Sequence, residues 1–170
     1  IDPDTYNAPL SGYIDTWNRL VKQGVEGRVK AVVIQHTYGN PNADTAKIID
    51  WAKEHGLFVF EDCAHCHDAV QEDSAIGTLS DGAFYSFQWS KPITCGLGGL
   101  AVIHTQSLID GVRSIQEQAC NPRIREQATL LMQLIAHKLF CHPRLFWFAI
   151  ETHRALSKIG IFVGSSTDSE

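Results

Sequence analysis

The sequence predicts an α/β fold on a mostly parallel sheet. Two observations carry that expectation. Two short apolar runs flank a helical pattern within about thirty residues, and later strand-like runs give way to a long helical C-terminal part.

Each element has its own signal. Ala31-Val32-Val33-Ile34-Gln35-His36 reads as a buried strand, and Thr37-Tyr38-Gly39-Asn40-Pro41 breaks it. Asn42 or Asp44 can cap a helix that carries Ala46, Ile48, Ile49, Trp51 and Ala52 at helical spacing, with Gly56 as its stop. Leu57 to Phe60 is a second buried strand, ending in the acidic pair Glu61-Asp62. Strand, helix and strand make a βαβ unit, which implies parallel pairing and a right-handed crossover. Gly82 to Phe87 and Gly99 to Ile103 read as further strands, joined by a loop rich in Lys, Pro and Gly. From about Ser107 the pattern turns helical. Leu130, Leu131, Leu134, Ile135, Lys138 and Leu139 mark a long amphipathic helix that Cys141-His142-Pro143 ends, and a second helix covers Leu145 to Ile159.

A chain of 170 residues can bury one ordinary core, and 44% hydrophobic with 19% charged residues excludes intrinsic disorder. The formal charge is −5, unevenly spread. Residues 1–90 carry 6 basic and 13 acidic side chains, whereas residues 91–170 carry 8 and 6. The basic residues of the second part are scattered, so neither nucleic acid nor an anionic membrane is an expected partner. No window approaches the roughly 18 apolar residues of a membrane span. Five cysteines at irregular spacing beside eight histidines do not form a disulfide framework, and a reducing, cytoplasmic setting is expected. The chain opens on Ile1 and an Asp2-Pro3 turn, which reads as a piece of something longer.

In an open parallel sheet, ligands sit beyond the carboxyl ends of the strands. That places Asp62, His36 and the Tyr38-Gly39 turn where functional groups are expected. Two constellations lie in that region. The run Glu61-Asp62-Cys63-Ala64-His65-Cys66-His67-Asp68 contains a C-x-x-C, which opens a metal or thiol-redox reading with Cys63, His65, Cys66 and His67 as donors. Against it, adjacent residues rarely converge on one tetrahedron, no second ligand pair follows, and acid beside a thiol raises its pKa. The second constellation places Lys91 between an apolar strand and the turn Gly96-Leu97-Gly98-Gly99. Phe87, Trp89, Pro92 and Ile93 around it can desolvate the amine, which is what makes a lysine nucleophilic; the alternative is a surface lysine in a loop. Gly96, Gly98 and Gly99 serve either plain turn chemistry or backbone approach to a ligand.

Taken together, a strand-end Asp and, about thirty residues on, a Lys flanked by Ser and Gly are what a pyridoxal phosphate site requires. The Lys holds the aldehyde as a Schiff base, and the Asp keeps the pyridine nitrogen protonated.

The ordered string His36-Thr37-Tyr38-Gly39-Asn40-Pro41, Glu61-Asp62-Cys63-Ala64-His65, Gly77-Thr78-Leu79-Ser80-Asp81, Ser86-Phe87 with Ser90-Lys91, and Gly96 with Gly98-Gly99 resembles the DegT/DnrJ/EryC1/StrS aminotransferases. The resemblance runs from about residue 1 to residue 104. It implies a fold-type-I pyridoxal-phosphate-dependent transferase large domain, with a mixed, mostly parallel sheet flanked by helices. Residues 1–106 would be a partial cofactor-binding large domain, and residues 107–170 a helical segment leading toward a small C-terminal domain. Lys91 would bind the cofactor and shuttle the proton, and Asp62 would pair with the pyridinium nitrogen. His65 would contact the ring's phenolic oxygen, Ala64 would pack on a ring face, and Ser86 would hydrogen-bond the phosphate. His36 has two readings, a hydrogen-bonded structural residue under the Tyr38-Gly39 turn or a catalytic group. The opening Ile1 to Asn7 resembles a strand and turn of the family. A phosphate-cradling segment is expected ahead of Ile1 and a small domain beyond Glu170. The implied reaction transfers an amino group from glutamate to a keto group on a nucleotide-linked sugar, in a homodimer.

Overall fold

Val32, Ile34 and Val59 alternate with Val33 and Phe60 along two short runs, and this period of two decides which side of the sheet receives helices. The computed structural model describes residues 1–71, 73–119, 122–140 and 146–158. The runs form β1 (Ala31–Gln35) and β2 (Phe58–Asp62), paired in parallel from Ala31 opposite Phe58 to Gln35 opposite Asp62. Helix α1 (Leu10–Lys22) precedes β1, and α2 (Thr45–Glu54) joins β1 to β2. A two-residue hairpin follows, β3 (Val70–Gln71) with β4 (Ser74–Ala75). Next come β5 (Gly82–Ser86) and β6 (Gly99–Ile103). The sheet order is β1-β2-β5-β6, with β5 parallel to β2 and β6 antiparallel to β5. The expected mixed, mostly parallel sheet is therefore present. Its second strand reaches two residues further than the apolar run, so Asp62 is the last strand residue rather than the first loop residue.

One face of the sheet is covered. Ile34 and Val59 pack with Ile48, Ile49, Ala52 and Leu57, and Leu10, Tyr13 and Trp17 of α1 close the cluster from outside. The other face is open: Val33, Phe58 and Phe84 are exposed. Where β2 and β5 begin and β6 ends, Asp81 ties the sheet across. Its carboxylate accepts the Val59 N–H and the Thr105 hydroxyl, and its carbonyl accepts the His104 N–H.

Helix α1 carries Leu10, Tyr13, Ile14 and Trp17 at helical spacing but has Pro9 where a capping side chain would stand. Its cap comes from elsewhere. Asp44 Oδ2 accepts the Leu10 N–H at 3.0 Å across 34 residues. Asp44 thus sits at the start of α2 yet gives that helix no side-chain cap, contrary to its local reading. The first seven residues are a turn closed by Tyr6 N–H to Asp2 O, with no strand.

Helices α3 (Gln106–Gln118), α4 (Ile124–Phe140) and α5 (Phe146–Lys158) follow β6. The expected helix stop at Cys141-His142-Pro143 lies outside the described residues. Leu131 and Ile135, expected on the apolar stripe of α4, are more than half exposed. Among the described residues no helix is long and apolar enough to cross a membrane.

Replacing Asp44 by Ala removes the distant cap of α1. The expected loss is about 1 kcal/mol in urea denaturation, with faster amide exchange at residues 10–13.

Candidate active site

Alternation along β2 sends Glu61 and Asp62 to opposite sides of the sheet. Glu61 faces the covered side and is 1% exposed. Such a carboxylate needs donors from the protein, and it has them. His36 Nε2 lies 3.1 Å from Oε2, the Gly77 N–H donates to Oε2 at 3.0 Å, and Ser80 Oγ lies 2.7 Å from Oε1. His36 Nδ1 accepts the Asn42 N–H at 3.1 Å, which leaves Nε2 as the donor to Glu61. Burial raises the Glu61 pKa, but the hydrogen bonds from His36, Ser80 and Gly77 outweigh it and hold the carboxyl below its ordinary value. His36 is 1% exposed with both ring nitrogens hydrogen-bonded, which favours the structural one of its two readings.

Asp62 takes the open side. The register places it beside Gln35 and Phe84, on the face that also carries Ser86 two residues further along β5. Its Oδ1 accepts the Ala64 N–H at 3.0 Å, an Asx turn that starts the loop after β2. Among the described residues nothing donates to Oδ2. The loop then brings His65 to Lys91, with Nζ 2.6 Å from Nε2. An ammonium offers only protons, so the imidazole accepts there. Ser86 is connected through His67, whose Nε2 lies 3.1 Å from the Ser86 carbonyl oxygen. Five candidate residues thus occupy the carboxyl ends of β2 and β5 and the loops leaving them. Among the described residues, the side-chain hydrogen bond that joins two of these five is His65 to Lys91. His67 and the Glu61 network are structural partners that sequence spacing did not identify; a second acid beside a strand-end Asp was the available signal.

The turn after Lys91 is glycine chemistry of the plain kind at Gly96, which has φ +91° and lies against the Trp89 ring. A cavity of about 190 Å³ lies on the Glu61 side, lined by Thr45, Lys47, Gln71, Ile76 and Leu79 among others, and none of the five candidate residues lines it.

The C-x-x-C does not form a ligand set of its own. Cys63 and Cys66 are buried, and Cys66 Sγ–H points to Gly39 O at 3.7 Å. Among the described residues the one cluster with metal-ligand spacing is His36, Glu61 and Cys63, within 4.8 Å of one another, and Cys66 is not part of it. Glu61 and His36 there are already hydrogen-bonded to each other and to the backbone. Burial, then the Glu61 charge, pushes the Cys63 thiol up to about 12, and burial also raises Cys66. A thiol so protonated is a poor nucleophile and a poor ligand.

The model of the DegT/DnrJ/EryC1/StrS aminotransferase family matches residues 3–139. GDP-perosamine synthase of Escherichia coli O157:H7 is 35% identical over 99 residues, 56% of this chain and 27% of that protein. L-glutamine:scyllo-inosose aminotransferase of Streptomyces griseus is 39% identical over 102 residues, 60% of this chain and 22% of that protein. Among solved structures, a DegT DnrJ EryC1 StrS aminotransferase from Brucella abortus matches with TM-score 0.60 at 27% identity, covering 67% of this chain and 30% of that one. The fold is thus that of the fold-type-I aminotransferase large domain, in part. The chain spans about a quarter of the length of the curated relatives it matches.

Glu61→Gln should cost about 3 kcal/mol, because buried donors lose their charged acceptor. The wild-type carboxyl titrates lower folded than unfolded. Its contribution is therefore present above about pH 4.3 and lost as pH falls through the folded value. Urea denaturation from pH 3 to 7 should show this acid dependence reduced in the variant. Alkylation of the native protein at neutral pH should modify the exposed Cys95 well before Cys63 or Cys66, read by peptide mass spectrometry.

Proposed function

This chain belongs to the DegT/DnrJ/EryC1/StrS aminotransferase family, and we propose that the protein carrying it is a pyridoxal-phosphate-dependent aminotransferase. Its acceptor would be a keto group on a nucleotide-activated sugar, and its amino donor glutamate. The observation that carries this reading is Lys91 Nζ at 2.6 Å from His65 Nε2, beside the strand-end carboxylate of Asp62.

The donor set fits the cofactor. Asp62 has one carboxylate oxygen with no donor among the described residues, on the open face it shares with Ser86. Lys91 is then the amine that holds the cofactor, and it carries the proton to and from the substrate's α-carbon. Asp62 keeps a proton on the ring nitrogen by its negative charge. His65 would hold the ring's phenolic oxygen, Ala64 would pack on a ring face, and Ser86 would hydrogen-bond the phosphate. The cofactor, when bound, supplies the electron sink that makes the α-proton acidic. Residues 1–106 belong to the large domain in this reading, and residues 107–170 lead toward the small one. The active form is a homodimer in the cytoplasm.

A keto-inositol acceptor is the second reading, favoured by the 39% identity to the scyllo-inosose enzyme. A metal or thiol-redox module on Cys63 and Cys66 has less support, given their raised pKa values and that Cys66 is not part of the one cluster with metal-ligand spacing among the described residues.

The purified protein should show a visible absorbance that borohydride removes while fixing the cofactor on Lys91. Lys91→Ala should abolish the absorbance and amino transfer. Asp62→Asn should keep the label on Lys91 yet slow transfer about a hundredfold or more, the scale of one lost preorganised electrostatic contact. Persistence of chromophore and transfer in Lys91→Ala would sink the reading, and stoichiometric zinc without a cofactor band would favour the thiol module.

A further inference from the structure

Three non-glycine residues among those described have positive φ, and two of them touch each other at this site. Tyr38 has φ +56° and Tyr6 has φ +58°. A bulky side chain in the left-handed region costs about 1–2 kcal/mol, so something must hold it there. Burial does not, because Tyr38 is 77% exposed.

What holds Tyr38 is its turn. Asn7, 4% exposed, accepts the Thr37 N–H through Oδ1 at 2.9 Å and donates through Nδ2 to Asn40 O at 3.0 Å. The Gly39 N–H donates to His36 O, and Gly39 O accepts from Cys66 Sγ–H. Gly39, at φ +81°, lies so near the next loop that an added Cβ would stand 2.8 Å from His65 O. The turn is thus pressed against the segment that carries His65.

The outcome is an ordered set of rings. Tyr6 meets Tyr38 edge-on, with centroids 5.8 Å apart. Tyr38 lies nearly parallel to the His65 imidazole, at 21° and 6.3 Å, in an offset arrangement. His65 has one polar side-chain contact among the described residues, the 2.6 Å approach to Lys91 Nζ. One hydrogen bond leaves the imidazole free to turn about that axis, and a parallel ring beside it does not. We propose that Tyr38, braced by Tyr6, is a positioning residue that holds the His65 imidazole in the orientation that meets Lys91. The strained turn exists to present that ring.

This inference rests on the reading of Lys91 as the cofactor's amine, and two readouts separate the two. The first is made without cofactor: nuclear Overhauser contacts between the His65 ring and the Lys91 side chain, together with thermal denaturation. The second is the rate at which pyridoxal phosphate is trapped on Lys91 by borohydride. Tyr38→Gly relieves the left-handed strain while deleting the ring. It should be at least as stable as wild type, lose the His65–Lys91 contacts, and label Lys91 about threefold to tenfold more slowly. Tyr38→Phe keeps the ring and should restore both. Wild-type contacts and labelling in Tyr38→Gly would overturn the inference, as would Tyr38→Phe behaving like Tyr38→Gly. If wild-type Lys91 takes no label while its contacts with His65 still depend on the Tyr38 ring, the cofactor reading fails and the brace stands.

Discussion

A carboxylate removed from water must be satisfied inside the protein, and Glu61 is satisfied by three separate segments. His36 reaches it from the end of β1, Gly77 through its backbone, and Ser80 from the approach to β5. One side chain therefore fixes the relative positions of the β1 end, the β2 end and the turn before β5. Asp62 is the next residue in the chain, and the backbone N–H of His36 also bonds to its carbonyl. His36 holds residues 61 and 62 at two points, so the direction in which Asp62 leaves the sheet follows from the buried pair behind it.

The two sides of the sheet divide the work. The covered side carries Ile34, Val59 and Glu61 against α2 and α1, and its contacts are those of a core. The open side carries apolar Val33, Phe58 and Phe84 together with Asp62 and Ser86. Strand alternation makes this separation automatic: neighbouring acids in one strand acquire opposite environments and opposite roles. Glu61 serves the fold through its charge, whereas Asp62 keeps an oxygen available.

Adjacency in sequence and convergence in space part company in the run from Glu61 to Asp68. Read as letters, the run offers two thiols and two imidazoles within five positions. Folded, Cys63 and Cys66 join the Ile76 and Ala83 cluster, Cys66 also meets Gly39 O, His65 turns to Lys91, and His67 reaches Ser86. The two thiols share one buried cluster while the two imidazoles leave it for separate partners, because a strand end followed by a tight turn points successive residues in different directions.

Side-chain periodicity and the order of short motifs determined by themselves the βαβ unit and the later strands, and they pointed to Asp62 and Lys91 as candidates for one site. Those features depend on local alternation, on turn residues and on spacing, all of which survive in a one-dimensional string. Only the tertiary structure decided the rest. Helix α1 lacked a local cap because its cap, Asp44, is 34 residues away. The apolar stripe of α4 met no burial at Leu131 and Ile135, since periodicity states which residues share a face and not what covers it. The Glu61 network and the ring sequence from Tyr6 through Tyr38 to His65 were equally out of reach, because each joins segments sixteen or more residues apart through side-chain geometry. Contacts of that kind arise only once the sheet has set the ends of its strands side by side.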